Sequence, residues 1–155
     1  MRGDPDVLQT LNQLLAGELA ARDQYFIHAA MYENFGLGKL HARSDHEMTE
    51  ETGHARAIID RILLLEGTPQ MTPAPLNIGA TVEEMLAKDL ALELHVRESL
   101  KAAMALCESK HDYVSRDMLL TQLVDTEEDH AHWLEQQLGL IAKMGLQNYI
   151  QSQMG

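Results

Sequence analysis

The sequence predicts an all-α fold: a bundle of four long helices with one long crossover and a short fifth helix. Three observations lead to this prediction. Aromatic residues make up only 5% of the chain and there are four prolines, a composition that favours helix over sheet. Apolar residues recur with helical spacing along four long stretches, and a proline-rich segment separates the second stretch from the third. The 155 residues are expected to form one domain, residues 1–155.

Helix A is predicted to begin at Asp4 and Pro5 and to run to about Phe35. An aspartate followed by a proline is a common helix start, and glycines follow Phe35. Its buried stripe is predicted to contain Val7, Leu8, Leu11, Leu14, Leu15, Leu19, Tyr25 and Phe26. Glu18 falls within this stripe, so we expect its carboxylate to face the core.

Helix B is predicted from about Leu40 to Glu66. Its inner line contains Glu47, Glu51, His54, Ile58, Ile62 and Leu65. Residues 67–80 hold three of the four prolines and therefore cannot form a regular helix. A connection of about fourteen residues is long for a helical bundle. It suits a crossover that runs the length of the bundle and makes helices B and C parallel.

Helix C is predicted to open with the capping box Thr81–Glu84. Its inner line contains Val82, Leu86, Leu90, Glu93, Val96, Leu100 and Cys107. Helix D is predicted to start between Tyr113 and Ser115 and to end at Gly145, with Leu120, Leu123, Glu127, His130, Leu134 and Ile141 inside. The tail LQNYIQSQM is predicted to form a short helix that must pack against other structure, because short isolated helices are marginal.

A Glu-x-x-His motif occurs twice, and a lone core-facing glutamate precedes each copy. The two sets are Glu18, Glu51 and His54, then Glu93, Glu127 and His130. The separation between the two glutamates is 33 residues in the first set and 34 in the second, which indicates a duplicated helix pair. Residues three apart lie on one helix face, so each motif can offer an oxygen and an imidazole nitrogen to one metal ion.

These six side chains have the pattern of a di-iron or di-manganese carboxylate site. Four buried glutamates would cost several kcal/mol per charge without compensation, and two divalent cations would neutralise them. Mixed oxygen and imidazole ligands suit iron or manganese. We expect Glu51 and Glu127 to bridge the metals. The remaining ligands are Glu18 with His54 on the first metal and Glu93 with His130 on the second. The alternative is a set of unrelated polar core residues.

Charge and cysteine content restrict the partners and the compartment. Twelve basic and 24 acidic residues give a net charge of −12, which opposes nucleic-acid binding and favours cations. The sequence shows neither a secretory signal nor an apolar stretch of membrane-spanning length. Cys107 is the only cysteine and is expected to be a buried thiol. We expect a cytoplasmic protein with no membrane or nucleic-acid partner.

The chain resembles a bacterioferritin along nearly its whole length. The resemblance is carried by the Glu-x-x-His motifs and by MRGDPDVLQTLNQLLAGELAARDQYFIHA, RILLLEGTP, LNIG, VEEMLAKDLALEL, HDYVSRDML, EEDHAHWLEQQLGLI and KMGLQNYIQSQM. It implies a ferritin-like fold and iron storage and detoxification in a cage of twenty-four subunits built from twofold dimers. It also implies a ferroxidase centre that oxidises ferrous iron with dioxygen or hydrogen peroxide. Its ligands would be Glu18, Glu51, His54, Glu93, Glu127 and His130.

The resemblance extends to an accessory iron site and to a tyrosine. His46 and Glu50 match a family iron site on the inner cage surface, although they lie four apart and could equally form a solvated helix face. Tyr25 matches a tyrosine near the di-iron centre that donates an electron in the family. As an aromatic residue in a core stripe, Tyr25 would need no such role.

One position departs from the haem-binding members of the family. Their haem-ligating methionine is replaced here by Thr52, whose hydroxyl is a poor haem ligand. Met48, one turn earlier, could substitute, but filling a core or interface is the simpler interpretation. We therefore expect little or no haem in cages of this chain alone. Mixed cages with a haem-binding sister subunit stay open, as do the preferred oxidant and the route of iron release.

Three alternative functions are weaker. A peroxidase of the rubrerythrin kind usually carries a second iron site held by four cysteines, and this chain has one. A DNA-protecting mini-ferritin lacks the duplicated motif and often has a basic tail. A helical interaction module with structural carboxylates explains the buried acids but not their spacing.

Overall fold

The computed structural model describes residues 1–155 and consists of helices without a β-strand. The helices are α1 (Pro5–Asn34), α2 (Gly38–Leu64), α3 (Val82–Ser109), α4 (Tyr113–Val124), α5 (His132–Met144) and α6 (Leu146–Ser152). A π-helical segment, Asp125–Ala131, joins α4 to α5 and makes them one long rod. The predicted four-helix bundle with a short fifth helix is therefore confirmed. None of these helices has the length and apolar character that crossing a membrane requires.

Local signals fix the helix ends. Oδ1 of Asp4 accepts hydrogen bonds from the backbone N–H groups of Asp6 and Val7, at 2.8 and 3.3 Å, and Pro5 occupies the first turn. Thr81 caps α3 by accepting from the N–H of Glu84, whose side chain accepts from Ala80. The predicted capping box thus reaches one residue further back than the usual form.

The core consists of two apolar clusters with a polar layer between them. One cluster joins the start of α1 to the ends of α2 and α3 and to α4, and includes Leu11, Ile62, Leu100 and Leu119. The other joins the end of α1 to the starts of α2 and α3 and to α5 and α6, and includes Tyr32, Leu40, Leu86, Leu134 and Tyr149. Because the ends of α2 and α3 share one cluster, these two helices are parallel, as the long crossover predicted. Between the two clusters, buried glutamates and histidines lie near the middle of α1, α2 and α3 and in the π-helical segment.

Two residues predicted to lie in the core are exposed. The side chain of Phe26 is 60% exposed and that of Leu120 is 44% exposed. In both cases the preceding residue, Tyr25 or Leu119, is buried instead. Successive helical residues point about 100° apart, so the inner line of each helix passes through one of these two neighbours and leaves the other at its edge. Those two predictions are therefore wrong.

The crossover, residues 67–80, runs along α1. Near its start, Asn12 accepts a hydrogen bond of 2.7 Å from the N–H of Gln70. Near its end, His28 Nε2 accepts one of 3.1 Å from the N–H of Gly79. These anchor points on α1 are about 24 Å apart at 1.5 Å per residue. The ring of His28 is held in turn by buried Asp89, with Nδ1 2.9 Å from Oδ1. The crossover therefore spans much of the bundle in an extended form.

The C-terminal helix packs on its own subunit. Gly145 ends α5 with a φ of 83°, a conformation that glycine adopts without strain. The fully buried Tyr149 then attaches α6 to α5, with its hydroxyl donating a hydrogen bond of 2.7 Å to Gln137 Oε1. The tail was predicted to need other structure to pack against, and α5 of the same chain provides it.

Candidate metal centre

The structure brings together five of the six predicted ligands in the polar layer. Glu18 comes from α1, Glu51 and His54 from α2, Glu93 from α3 and His130 from the π-helical segment. All five side chains are buried. They lie where the two apolar clusters meet, so the packing of the four long helices fixes their positions.

The five side chains form two groups that share one glutamate. In the first group, Nδ1 of His54 lies 3.5 Å from Oε2 of Glu51 and 3.8 Å from Oε2 of Glu18. In the second, Nδ1 of His130 lies 3.0 Å from Oε1 of Glu51 and 3.3 Å from Oε1 of Glu93. Each group has its ligand atoms within 4.8 Å of one another. Glu51 thus presents one oxygen to each group, which is the geometry of a bridging carboxylate.

Several polar atoms of these groups are buried without a well-aligned hydrogen-bond partner. They are both carboxylate oxygens of Glu18, Oε2 of Glu51, Oε2 of Glu93, Nδ1 of His54 and Nδ1 of His130. Leaving such atoms unsatisfied costs about 1–3 kcal/mol each, and more when they are charged. The atoms are carboxylate oxygens and imidazole nitrogens, the donors that iron and manganese accept. The donor set therefore fits two divalent cations.

Without metal, protons balance the charge of the centre. Burial, followed by the charge of Glu51, raises the pKa of Glu18 well above its ordinary value. Burial alone would raise the pKa of Glu51, but hydrogen bonds with Glu18, His130 and His54 lower it overall. Burial alone would lower the pKa of His54, but Glu18 and Glu51 raise it to about 11.

The second group behaves in the same way. Burial opposes the charged form of His130, yet contacts with Glu47, Glu51 and Glu93 raise its pKa far above the usual range. Burial raises the pKa of Glu93. Both histidines are therefore positively charged at neutral pH in the metal-free centre, with a proton on each ring nitrogen. A cation that binds at Nδ1 has to displace that proton, so binding is linked to pH.

Glu127, the sixth predicted ligand, is not part of either group. Its side chain is 41% exposed, and its Oε1 lies 3.4 Å from Nε of Arg97. The prediction placed Glu127 on the inner line by assuming α-helical spacing. In the π-helical segment the hydrogen bonds run from i to i+5, which widens the turn. The inward-facing residues there are Thr126 and His130, which continue the buried line of Leu119 and Gln122 in α4. The predicted line through Leu120 was therefore one residue out of phase before the π-helical segment begins.

Besides Glu50, described below, the structure reveals two carboxylates on the outer side of the histidine rings. Asp125 Oδ2 lies 2.9 Å from Nε2 of His54, and Glu47 Oε2 lies 2.7 Å from Nε2 of His130. The sequence placed Glu47 on the inner line of helix B without a role. No sequence pattern singled out Asp125.

The predicted accessory residues lie next to the second group. Nε2 of His46 is 2.9 Å from Oε1 of Glu50 and 3.5 Å from Oδ2 of Asp129. Oε2 of Glu50 is also 2.5 Å from Nε2 of His130. Arg43 neutralises part of this acidic cluster through Asp129 and Glu47. His46 and Glu50 are therefore continuous with the centre, and their role in holding iron stays a prediction.

Tyr25 and Thr52 differ in their relation to the centre. Tyr25 is buried, and its hydroxyl donates a hydrogen bond to Glu93. Thr52 lies on the exposed side of α2, where its hydroxyl donates to the backbone oxygen of Met48 at 2.8 Å. The role of Tyr25 as an electron donor stays a prediction. The absence of haem also stays a prediction.

Comparison with known proteins supports the interpretation of this geometry. A model of the ferritin-like domain matches residues 8–144. The chain belongs to the ferritin family. A bacterial ferritin of Pseudomonas aeruginosa is 64% identical over 153 residues that cover 99% of both chains. A bacterial ferritin of Synechocystis is 61% identical over 155 residues, 99% of each chain. A bacterioferritin of Mycobacterium leprae is 43% identical over 150 residues, 96% of this chain and 94% of the relative.

These relatives place the chain in the bacterioferritin branch of the ferritins, as the sequence resemblance implied. Membership of this family and the buried carboxylate–histidine groups together support iron storage, with ferroxidase activity at a di-iron centre.

Proposed function

We propose that this bacterioferritin oxidises ferrous to ferric iron within each subunit and stores the product as mineral in a cage. The iron-binding residues are Glu18, Glu51, His54, Glu93, Glu127 and His130. The observation that carries this proposal is the set of buried, unpartnered oxygen and nitrogen atoms in two groups that share Glu51. A purely structural role would leave these buried atoms without well-aligned hydrogen bonds, whereas cations bound between them would satisfy them.

The arrangement suits a two-electron reaction. Two ferrous ions held on either side of Glu51 can each give one electron to the same oxidant. With dioxygen, two ferrous ions and two protons give two ferric ions and hydrogen peroxide. With hydrogen peroxide, the same electrons and protons give two water molecules. The hard anionic carboxylates stabilise the ferric products. The protons that His54 and His130 release on iron binding can supply those consumed in the reaction.

Glu127 completes the centre in this proposal. Its carboxylate would leave Arg97 and turn inward to bridge the two irons opposite Glu51. Oε1 of Glu127 and Nε of Arg97 are 3.4 Å apart in a partly exposed ion pair, and such pairs contribute little to stability, so breaking this pair costs little. The bound cations would offset the cost of burying the carboxylate. His46 and Glu50, which adjoin His130, would hold iron on the inner surface on its way to the mineral.

Storage requires a closed assembly. We propose that twenty-four copies, arranged as twofold dimers, form a cytoplasmic cage that holds little or no haem. Co-assembly with a haem-binding sister subunit would supply the methionine ligand that Thr52 replaces in this chain. The net charge of −12 favours the entry and nucleation of iron in such a cage and disfavours nucleic acid as a partner.

Size-exclusion chromatography with an iron assay and stopped-flow oxidation tests the proposed function. The 17.4 kDa chain should elute as a particle of about 420 kDa that takes up far more than two irons per subunit. The variant Glu51→Ala should keep the same particle size, lose fast oxidation and bind less iron. An interaction module would instead give a small oligomer without iron. A rubrerythrin-like enzyme would bind about two irons per subunit and store none.

A further inference from the structure

The two histidines of the centre are held in the same way. Each directs Nδ1 towards the buried glutamates and Nε2 towards a carboxylate on the outer side of its ring. For His130 the outer carboxylates are Glu47, at 2.7 Å, and Glu50, at 2.5 Å. For His54 the outer carboxylate is Asp125, at 2.9 Å. The repetition of this contact on two different elements indicates a function beyond surface charge.

We propose that Asp125 is a positioning residue that prepares His54 for iron. This inference rests on the proposed function, because it assigns the role of one residue at the same centre. Asp125 does not ligate iron in this proposal, since it lies on the far side of the imidazole ring and outside the groups whose ligand atoms converge.

The physical reason is the choice of tautomer. A neutral imidazole carries one N–H, and only the other nitrogen can bind a metal. The carboxylate of Asp125 can only accept a hydrogen bond, so it holds a proton on Nε2. The proton that an incoming cation displaces is then the one on Nδ1, the nitrogen that faces Glu18 and Glu51. Without Asp125, His54 could carry the proton on Nδ1 or turn its ring, and both changes would remove the ligand. Outer carboxylates of this kind commonly orient and strengthen metal-binding histidines.

The two groups of the centre differ in the number of carboxylates that contact the outer nitrogen of the histidine. The group with His54 is the first half of the centre, and the group with His130 is the second half. His130 has two outer carboxylates, and one of them, Glu47, is itself buried and lies 2.6 Å from Arg43. His54 has Asp125 alone at Nε2, and that side chain is 41% exposed. Loss of Asp125 should therefore weaken the first half of the centre and leave the second half intact.

Asp125 lies on the side of its helix that faces His54. It is the first residue of the π-helical segment and follows the buried Gln122 by three positions, so the two residues share a helix face. The side-chain amide of Gln122 donates a hydrogen bond of 3.1 Å to the backbone oxygen of His54. Gln122 and Asp125 therefore contact the backbone and the ring of the same histidine.

Anaerobic titration with Co²⁺ tests this proposal, because cobalt reports on nitrogen and carboxylate ligation by its visible absorption and is not oxidised. Asp125→Ala and Asp125→Ser remove the acceptor, whereas Asp125→Asn keeps an oxygen that can accept from Nε2. Asp117→Ala is the matched control, since Asp117 is an exposed aspartate of α4 that pairs with Arg116. Thermal melting of each metal-free protein checks the fold.

Wild-type protein should bind two Co²⁺ per subunit. Asp125→Ala and Asp125→Ser should weaken one of the two sites by about 10- to 100-fold and leave the other unchanged. Asp125→Asn should stay within about threefold of wild type, and Asp117→Ala should equal it. Melting temperatures should agree among all five proteins.

Two results would overturn the proposal. One is unchanged affinity at both sites in the Asp125→Ala and Asp125→Ser proteins. The other is an equal loss in Asp125→Asn, which would show that charge rather than the tautomer matters. If the wild-type protein itself bound no pair of cobalt ions, the proposed function would fail, and the role of Asp125 would fail with it.

Discussion

Tyr25 donates a hydrogen bond of 2.5 Å from its hydroxyl to Oε1 of Glu93, in a part of the core where both side chains are buried. This contact lowers the pKa of Glu93 against the effect of burial, which raises it. Tyr25 therefore stabilises the charged form of a predicted ligand, whether or not it also donates an electron. The contact gives this tyrosine a role that its place in an apolar stripe would not require.

Replacing Tyr25 by phenylalanine should weaken metal binding at the second half of the centre. Loss of a hydrogen bond to a charged group is worth about 1.5–3 kcal/mol, so Co²⁺ affinity there should fall about tenfold or more at pH 6–7. Tyr32→Phe is the matched control, because Tyr32 is also buried and its hydroxyl has no partner. Equal affinities in the two variants would rule out a role for the Tyr25–Glu93 contact.

Glu127→Ala should abolish fast iron oxidation and leave the helical fold unchanged. The pair between Glu127 and Arg97 is partly exposed, so its loss should cost at most about 1 kcal/mol of stability. Stopped-flow oxidation of ferrous iron measures the rate, and circular dichroism measures the helix content. Glu128→Ala, which removes the exposed neighbouring charge, should behave as wild type. A wild-type rate in the Glu127→Ala protein would remove Glu127 from the centre.

Cation binding should release protons. His54 and His130 hold their protons at neutral pH, so each divalent cation should displace one, about two per subunit. The raised pKa of Glu18 adds to this number. Calorimetric titration with Zn²⁺ in two buffers of different ionisation enthalpy counts the protons. Release of no protons near pH 7 would show that both imidazoles are already neutral.

The same shifts predict how stability depends on pH in the metal-free protein. The pKa of His54 is about 11 in the folded state and about 6.5 when unfolded, so its contribution is complete below about pH 6.5 and is lost as the pH rises towards 11. His130 and Glu18, whose pKa values are also raised, act in the same direction. The melting temperature with chelator should therefore be lower at pH 9.5 than at pH 6.5. His54→Gln should reduce that difference, whereas His95→Gln, a change on the exposed side of α3, should not.

Protein made from this chain alone should show no strong haem absorption band. Thr52 lies on an exposed helix face and offers a hydroxyl that is already hydrogen-bonded to the backbone of Met48. Thr52→Met should gain haem, up to one per dimer, when expressed with added haem precursor. Gly53→Met is the control, since it places a thioether one position further along the same exposed stretch. A strong band in the wild-type protein would mean that another residue, such as Met48, ligates haem.

The sequence was a good guide wherever local chemistry decides the outcome. The Asp4 cap, the Thr81 cap and the prolines of the crossover are local signals, and the helices and the crossover follow them. The helical period also placed Glu18, Glu51, His54 and Glu93 in the core, since regular helices preserve that period.

The errors have a common physical cause. Phe26 and Leu120 each stand beside a residue that is buried instead, and composition does not determine which of two apolar neighbours faces the core. Glu127 stands beside the buried Thr126 in the same way, and its role as a ligand stays a prediction.

The long crossover has a mechanical consequence for a centre filled with metal. Residues 67–80 are the sole covalent link between a half that carries Glu18, Glu51 and His54 and a half that carries Glu93 and His130. Since Glu51 presents an oxygen to each histidine, a filled centre would tie the two halves together even if a protease cut the exposed stretch at residues 71–75. A nicked subunit would then come apart far more slowly when loaded than when empty, and its resistance to dissociation would measure occupancy.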